Sequence, residues 1–421
     1  MSADSSNSAN ECNECTGNIK YGELIVLGYN GHLLTGDKGR RRSKYVLWKR
    51  SKANGVKPSQ RHLVTNPQAS IAVQDQSKHS VSYTLSRHKA IIVEYLNDDE
   101  TDMFQIGRSM EDPIDCVVMD TVPGHLRAQK DTTPQSTISR FACRIIVQRS
   151  PPYTARIYAA GFDSGKNIFL GEKAVKWCSD ENVDGLTTNG VFFMQPQGGF
   201  TPAGKPGPWR EVSVGGSLFS LRDSRPSPLK SHQMTEEDNI LRDGTLIDLC
   251  GATIVWRSAL GLITSPSENE FQQLVGRLNA GRPQCPVGLN TLVLPTRGSL
   301  NLRDRQPYVY IPCGHVHGNH DWGQADTNTR KCPLCMADGK FIKLQMGCEL
   351  SLYVDSEQPT YCFSPCGHMV SESTAKFWSR IAIPHGSHGF ETICPFCATP
   401  LLDSHPHVKL IFQDNTDLPV T

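Results

Sequence analysis

The chain has 421 residues, enough for two or three domains, and 43 Lys and Arg against 42 Asp and Glu leave a formal net charge of +1. Near-neutrality excludes a global electrostatic pull onto nucleic acid or an anionic membrane surface. No apolar run reaches the roughly 20 residues of a membrane-spanning helix, and 35 Gly with 27 Pro favour a loop-rich, β-rich chain.

Residues 1–18 are rich in Ser and Asn and read as a disordered tail. They carry no apolar h-region, so a reducing, cytoplasmic setting is expected, in which thiols favour metal over disulfide. Cys12 and Cys15 lack a partner pair nearby and read as incidental. From there to residue 256 short strand candidates follow one another, at 21–29, 45–48, 80–85, 90–95, 115–119, 145–148, 155–158, 190–194, 217–221, 245–249 and 253–256. Gly, Pro, Asp and Ser separate them, a spacing that favours an antiparallel sandwich. The basic run at 38–44 reads more readily as a solvated loop than as a nucleic-acid patch.

Three loop motifs punctuate this region. Phe104-Gln105-Ile106-Gly107-Arg108-Ser109 ends a strand in a Gly-Arg turn, Ser139-Arg140 precedes a strand at 141–147, and Thr188-Asn189-Gly190 precedes Val191-Phe192-Phe193. Leu241 to Leu249 has the look of a turn and closing strand. Each motif alone is an ordinary turn; the three in order carry more. In that order and context they resemble a forkhead-associated (FHA) domain, a β-sandwich whose loops bind phosphothreonine peptides. The resemblance implies that Arg108, Ser139 and Arg140 contact the phosphate and that Thr188 and Asn189 hold the peptide backbone. The chemistry agrees: the phosphate offers nearly two charges and three acceptor oxygens, and an Arg fork meets them bidentately. Ala142 stands where the family has a buried His, and inserts at 198–237 and within 36–76 make this an atypical member with an appendage.

Ser265-Pro266-Ser267-Glu268 predicts a capped helix over 269–278, ending at Gly281-Arg282-Pro283. Nine of the 15 cysteines lie from Cys285 onward, where one pattern occurs twice. Cys313-Gly314-His315 precedes Cys332-Pro333-Leu334-Cys335, and Cys366-Gly367-His368 precedes Cys394-Pro395-Phe396-Cys397. Six thiolates and two imidazoles fill two closed tetrahedral zinc shells, and closed shells are structural rather than catalytic. Either each copy holds its own ion, or Cys313 and His315 join Cys366 and His368 and leave an all-cysteine second site. Cys285, Cys348 and Cys362 could replace a nominated ligand.

The second copy looks like the later half of a RING domain, although a standard RING orders its pairs differently. An atypical FHA domain followed by this doubled module resembles the Pellino family over nearly the whole chain. The resemblance implies a RING-type ubiquitin ligase of Toll and interleukin-1 receptor signalling. Its expected partners are a phosphorylated receptor-associated kinase of the Pelle type, a ubiquitin-conjugating enzyme and ubiquitin, with neither nucleic acid nor membrane insertion. Pro395 and Phe396 are the first candidates to touch the conjugating enzyme, Pro333 and Leu334 the second. The expected architecture is mainly β: a tail at 1–18, an FHA-type sandwich at 19–260, a connector helix at 261–284 and a small RING-like α+β zinc module at 285–421. The competing readings are a phosphopeptide scaffold without ligase activity and a zinc-bearing nucleic-acid binder.

Overall fold

The structure is a computed structural model that describes residues 18–29, 42–67, 70–122, 136–179, 182–294, 305–323, 329–385 and 389–413. The tail, its Cys12–Cys15 pair and most of the basic run at 38–44 lie outside these residues.

The first half is a β-sandwich, as its short, turn-separated apolar runs require. One sheet of seven strands runs Leu218–Phe219, Arg210–Val212, Val191–Met194, Leu246–Asp248, Thr253–Ser258, Lys20–Val26 and Lys44–Trp48, each antiparallel to its neighbours. Two four-stranded sheets complete it, Asn167–Leu170/His79–Ser86/Lys89–Asp98/Gly55–Val64 and Cys116–Val117/Thr101–Gly107/Cys143–Gln148/Ala155–Ala159. Inward-facing Leu24, Val26, Val81, Ile106, Ile145, Ile157, Ile254 and Trp256 form the core between them. The 36–76 stretch is not merely an insert, because Gly55–Val64 pairs along the edge of a sheet.

The helix Glu268–Ala280 starts as its sequence predicts. Ser267 Oγ accepts from the Glu270 amide while the Glu270 carboxylate accepts from the Ser267 N–H, a complete capping box. Beyond it the chain makes two small sheets that repeat one theme. Tyr308–Tyr310 and Val316–His317 flank Cys313-Gly314-His315, and Tyr361–Phe363 and His368–Val370 flank Cys366-Gly367-His368. The helix Glu372–Trp378 packs under the second copy.

The halves share an apolar core. Ile25, Leu27, Met194, Phe200 and Val255 of the sandwich pack with Leu352, Phe377, Trp378 and Phe396 of the second half. Phe200, from the 198–237 insert, lies 5.0 Å edge-on from Phe377. Polar ties frame this seam. The Gly28 amide donates to Pro395 O at 2.8 Å, Trp209 Nε1 to Ala382 O at 2.9 Å and Ser351 Oγ to Glu23 Oε2 at 3.2 Å. Buried Arg257 reaches Asp243 on one side and Ser351 O on the other.

Candidate functional site

The three sequence motifs of the sandwich meet at one of its ends. Gly107 makes this possible: a Cβ there would sit 2.0 Å from Arg140 O, so the Gly-Arg turn and the Ser139-Arg140 turn press backbone to backbone. The Arg108 amide donates to Ser139 O and the Ser109 amide to Arg140 O, each at 3.1 Å. Arg108 Nε donates to Ile138 O at 2.7 Å, and its exposed guanidinium stands at the rim of the site. Arg140 is exposed and paired with Glu111. Asn189 Nδ2 donates to Thr137 O at 2.7 Å and to Ser139 Oγ at 3.2 Å, which ties the third loop to the second. Thr188 is exposed beside it.

Sequence reasoning missed what holds that third loop. Arg222 Nη2 donates to Thr187 O at 2.9 Å, and Arg225 Nη1 donates to Asn189 O at 3.0 Å. Both guanidiniums are buried and neutralised, Arg222 by Glu211 and Arg225 by Asp248, and Arg225 lies 3.7 Å over the Phe192 ring. Both come from the 198–237 insert. Their signal is the doubled Arg of Arg222-Asp223-Ser224-Arg225 within that insert. Next to this loop a cavity of about 510 Å³ opens between Thr188, Asn189 and Arg225 on the sandwich and Pro384, His385 and Glu391 on the hairpin Ala382–His385/Gly389–Thr392.

In the second half the eight nominated metal ligands gather in sequential fours. Cys313, His315, Cys332 and Cys335 form one group, and Cys366, His368, Cys394 and Cys397 the other, each with its ligand atoms within 4.8 Å of one another. Cys-Gly-His needs its glycine for more than space. Gly314 and Gly367 sit at φ of +77° and +76°, and a Cβ would meet Lys409 O at 2.1 Å and Lys343 O at 2.3 Å. In each Cys-Pro-x-Cys turn the amide four residues after the first Cys donates back to its carbonyl, Met336 to Cys332 O at 2.8 Å and Ala398 to Cys394 O at 2.9 Å.

Burial pushes the thiols of Cys366 and Cys394 well up and that of Cys313 to about 12. S–H groups of Cys366 and Cys394 aimed at Cys397 hold its thiol well down, and the Ala337 amide lowers Cys335. Packed thiols of this kind resist ionising together, and a divalent cation is what displaces their protons. The donor sets, three sulfurs and one ring nitrogen each, fit zinc.

The two copies differ in their surroundings, and so do the four contact candidates they carry. Phe396 is fully buried in the seam and Pro395 is buried beside it, so neither offers a surface. The first knuckle faces solvent, with Leu334 51% and Met336 55% exposed and Pro333 half-buried. Among the described residues no helix is long and apolar enough to cross a membrane.

Residues 12–274 match the family model of the Pellino FHA domain, and residues 278–417 that of the Pellino RING domain. The chain is 58% identical over 401 residues to "Protein pellino" of Drosophila melanogaster, covering 95% of this chain and 94% of that protein. It is 54% identical over 404 residues to "E3 ubiquitin-protein ligase pellino homolog 2" of Homo sapiens, covering 95% of this chain and 96% of the relative. To "E3 ubiquitin-protein ligase pellino homolog 3" of Homo sapiens it is 49% identical, across 95% of this chain and 91% of that one.

Proposed function

The chain belongs to the Pellino family and is an E3 ubiquitin-protein ligase, and we propose that it selects phosphothreonine-bearing kinases and positions a ubiquitin-charged conjugating enzyme beside them. The observation that carries this reading is the convergence of Arg108, Ser139, Arg140 and Asn189 at one end of the sandwich, on a core shared with the twin Cys/His module.

The Arg108 fork takes two phosphate oxygens, the Ser139 hydroxyl donates to another, and Arg140 exchanges its Glu111 partner for the phosphate. Asn189 is oriented through its Nδ2, so its Oδ1 accepts a peptide N–H, with Thr188 alongside. The target is a phosphorylated receptor-associated kinase of the Pelle type, in the cytoplasm, within Toll and interleukin-1 receptor signalling. Residues 19–260 form the phosphate-reading unit, 261–284 the connector and 285–421 the transfer unit.

Cys313, His315, Cys332 and Cys335 would hold one zinc ion and Cys366, His368, Cys394 and Cys397 a second. Bound there, zinc supplies cross-linking in place of a larger apolar core. Leu334, Pro333 and the neighbouring Met336 form the apolar surface that receives the conjugating enzyme. No side chain of this chain bonds to ubiquitin. The enzyme's thioester and the target lysine are held together, and catalysis is by positioning.

A reconstituted reaction with ubiquitin, a conjugating enzyme and the phosphorylated kinase tests this reading. Phosphorylation-dependent ubiquitin chains on the kinase are expected. Arg108→Ala should abolish target modification and keep autoubiquitination, and Cys332→Ala with Cys335→Ala should abolish both. Peptide binding without any ubiquitin transfer would favour a scaffold instead.

A further inference from the structure

We infer that the module holds a third zinc ion, on Cys285, His317 and His320. The ligand atoms of these three residues lie within 4.8 Å of one another and share no residue with the two groups already described. Cys285 and His317 are fully buried and His320 is half-buried. Among the described residues, His317 Nδ1 and both ring nitrogens of His320 are buried without a hydrogen-bond partner. Burying that many polar atoms unmatched is unfavourable, and a shared cation would satisfy them.

The backbone around Cys285 gives an independent reason. Cys285-Pro286-Val287-Gly288-Leu289 is a third copy of the zinc knuckle. The Leu289 amide donates to Cys285 O at 2.9 Å, as Met336 does to Cys332 O and Ala398 to Cys394 O. The Cys285 amide donates to Asn290 O at 3.0 Å, as Cys332 does to Ala337 O and Cys394 to Thr399 O. The fifth residue is left-handed in all three, with φ of +54° at Leu289, +64° at Met336 and +55° at Ala398. Non-glycine residues seldom adopt that conformation, so a triple occurrence marks one device used three times. As in a metal-bound turn, an amide also points at the sulfur: Gly288 N–H donates to Cys285 Sγ at 3.3 Å.

The third knuckle differs in one residue, Gly288, where its siblings have their second cysteine. His317 and His320, spaced His-x-x-His, take the place of that thiolate. One thiolate with two imidazoles is a zinc donor set. The fourth position falls to water or to a bridging Cys332 thiolate, since Cys332 Sγ lies 3.6 Å from His315 Nδ1 and 3.8 Å from His317 Nε2. The ion would pin the loop that follows the helix Glu268–Ala280 to the strand Val316–His317.

Metal analysis of the purified full-length chain, expressed in zinc-replete medium, tests the proposal. Three zinc ions per chain are expected, with two in Cys285→Ser and two in His320→Ala, both with native circular dichroism. Two ions in the unaltered chain, or three retained in Cys285→Ser, would overturn it; no zinc at all would instead sink the two-centre reading above. Should both variants misfold, Gly288→Cys decides. A Cβ there lies 3.8 Å from Cys285 Sγ and meets only the end of the Asn290 side chain at 2.8 Å. The added thiolate should slow loss of the third zinc to a chelator by roughly tenfold. Unchanged release would count against the site.

Discussion

The two Cys-Pro-x-Cys knuckles are nearly the same sequence in opposite environments. Leu334 and Cys335 of the first knuckle stand out in solvent, whereas Cys394-Pro395-Phe396-Cys397 is sunk in the seam, where Gly28 donates to Pro395 O. Their backbones are alike, so the metal geometry does not distinguish them; what each touches does. A repeated motif thus serves once as an exposed face and once as an internal staple, and only the exposed copy is available to a partner.

The comparison breaks most directly at the ligands. Cys394→Ser with Cys397→Ser should cost the whole second half its fold and disorder the seam, because zinc binding in small modules is folding free energy of about 10–16 kcal/mol. Far-UV circular dichroism and the loss of Trp378 burial by fluorescence would report it; a native spectrum would remove the staple role. Next in size, Phe396→Ala should destabilise by about 3–5 kcal/mol in denaturant unfolding. Leu334→Ala should stay within about 0.5 kcal/mol yet weaken conjugating-enzyme binding, measured by titration calorimetry. Equal stability losses in the two variants would erase the difference between the exposed and the buried knuckle.

Arg108→Ala should weaken binding of a phosphothreonine peptide at least roughly tenfold, the worth of one charge-assisted hydrogen bond or more, with unfolding unchanged. A peptide affinity that ignores the substitution would detach this loop from phosphate reading. The smallest effect is expected from Glu111→Gln, which frees Arg140. Peptide affinity should rise slightly, and by less at high salt, because the exposed pair is screened.

Legibility followed locality. The eight nominated metal ligands could be read because Cys-x-x-Cys and Cys-Gly-His set their geometry within a few residues, and the helix after Ser267 because its capping box is local. The strand Gly55–Val64 escaped notice because it is an edge strand with Pro58 inside and a mostly exposed pattern, so it lacks the alternation that reveals a half-buried strand. The burial of Phe396 could not be read at all, since its neighbours Gly347, Tyr353 and His368 lie dozens of positions back along the chain, and its cluster draws in Ile25 and Val255 of the sandwich. The same holds for Arg222 and Arg225, whose value lies in carbonyls of a distant loop.

The seam itself has a consequence for target choice. Two modules joined by a slack tether would sample many separations, and every lysine on a captured target would meet a diluted, smeared local concentration of thioester. Here Phe200, Phe377, Trp378 and Phe396 fuse them into one body, so the span from the Arg108 and Ser139 loops to the exposed knuckle is a fixed length. Under the function proposed above, the molecule works as a ruler: the stretch of target between its phosphothreonine and a given lysine decides whether that lysine comes within reach.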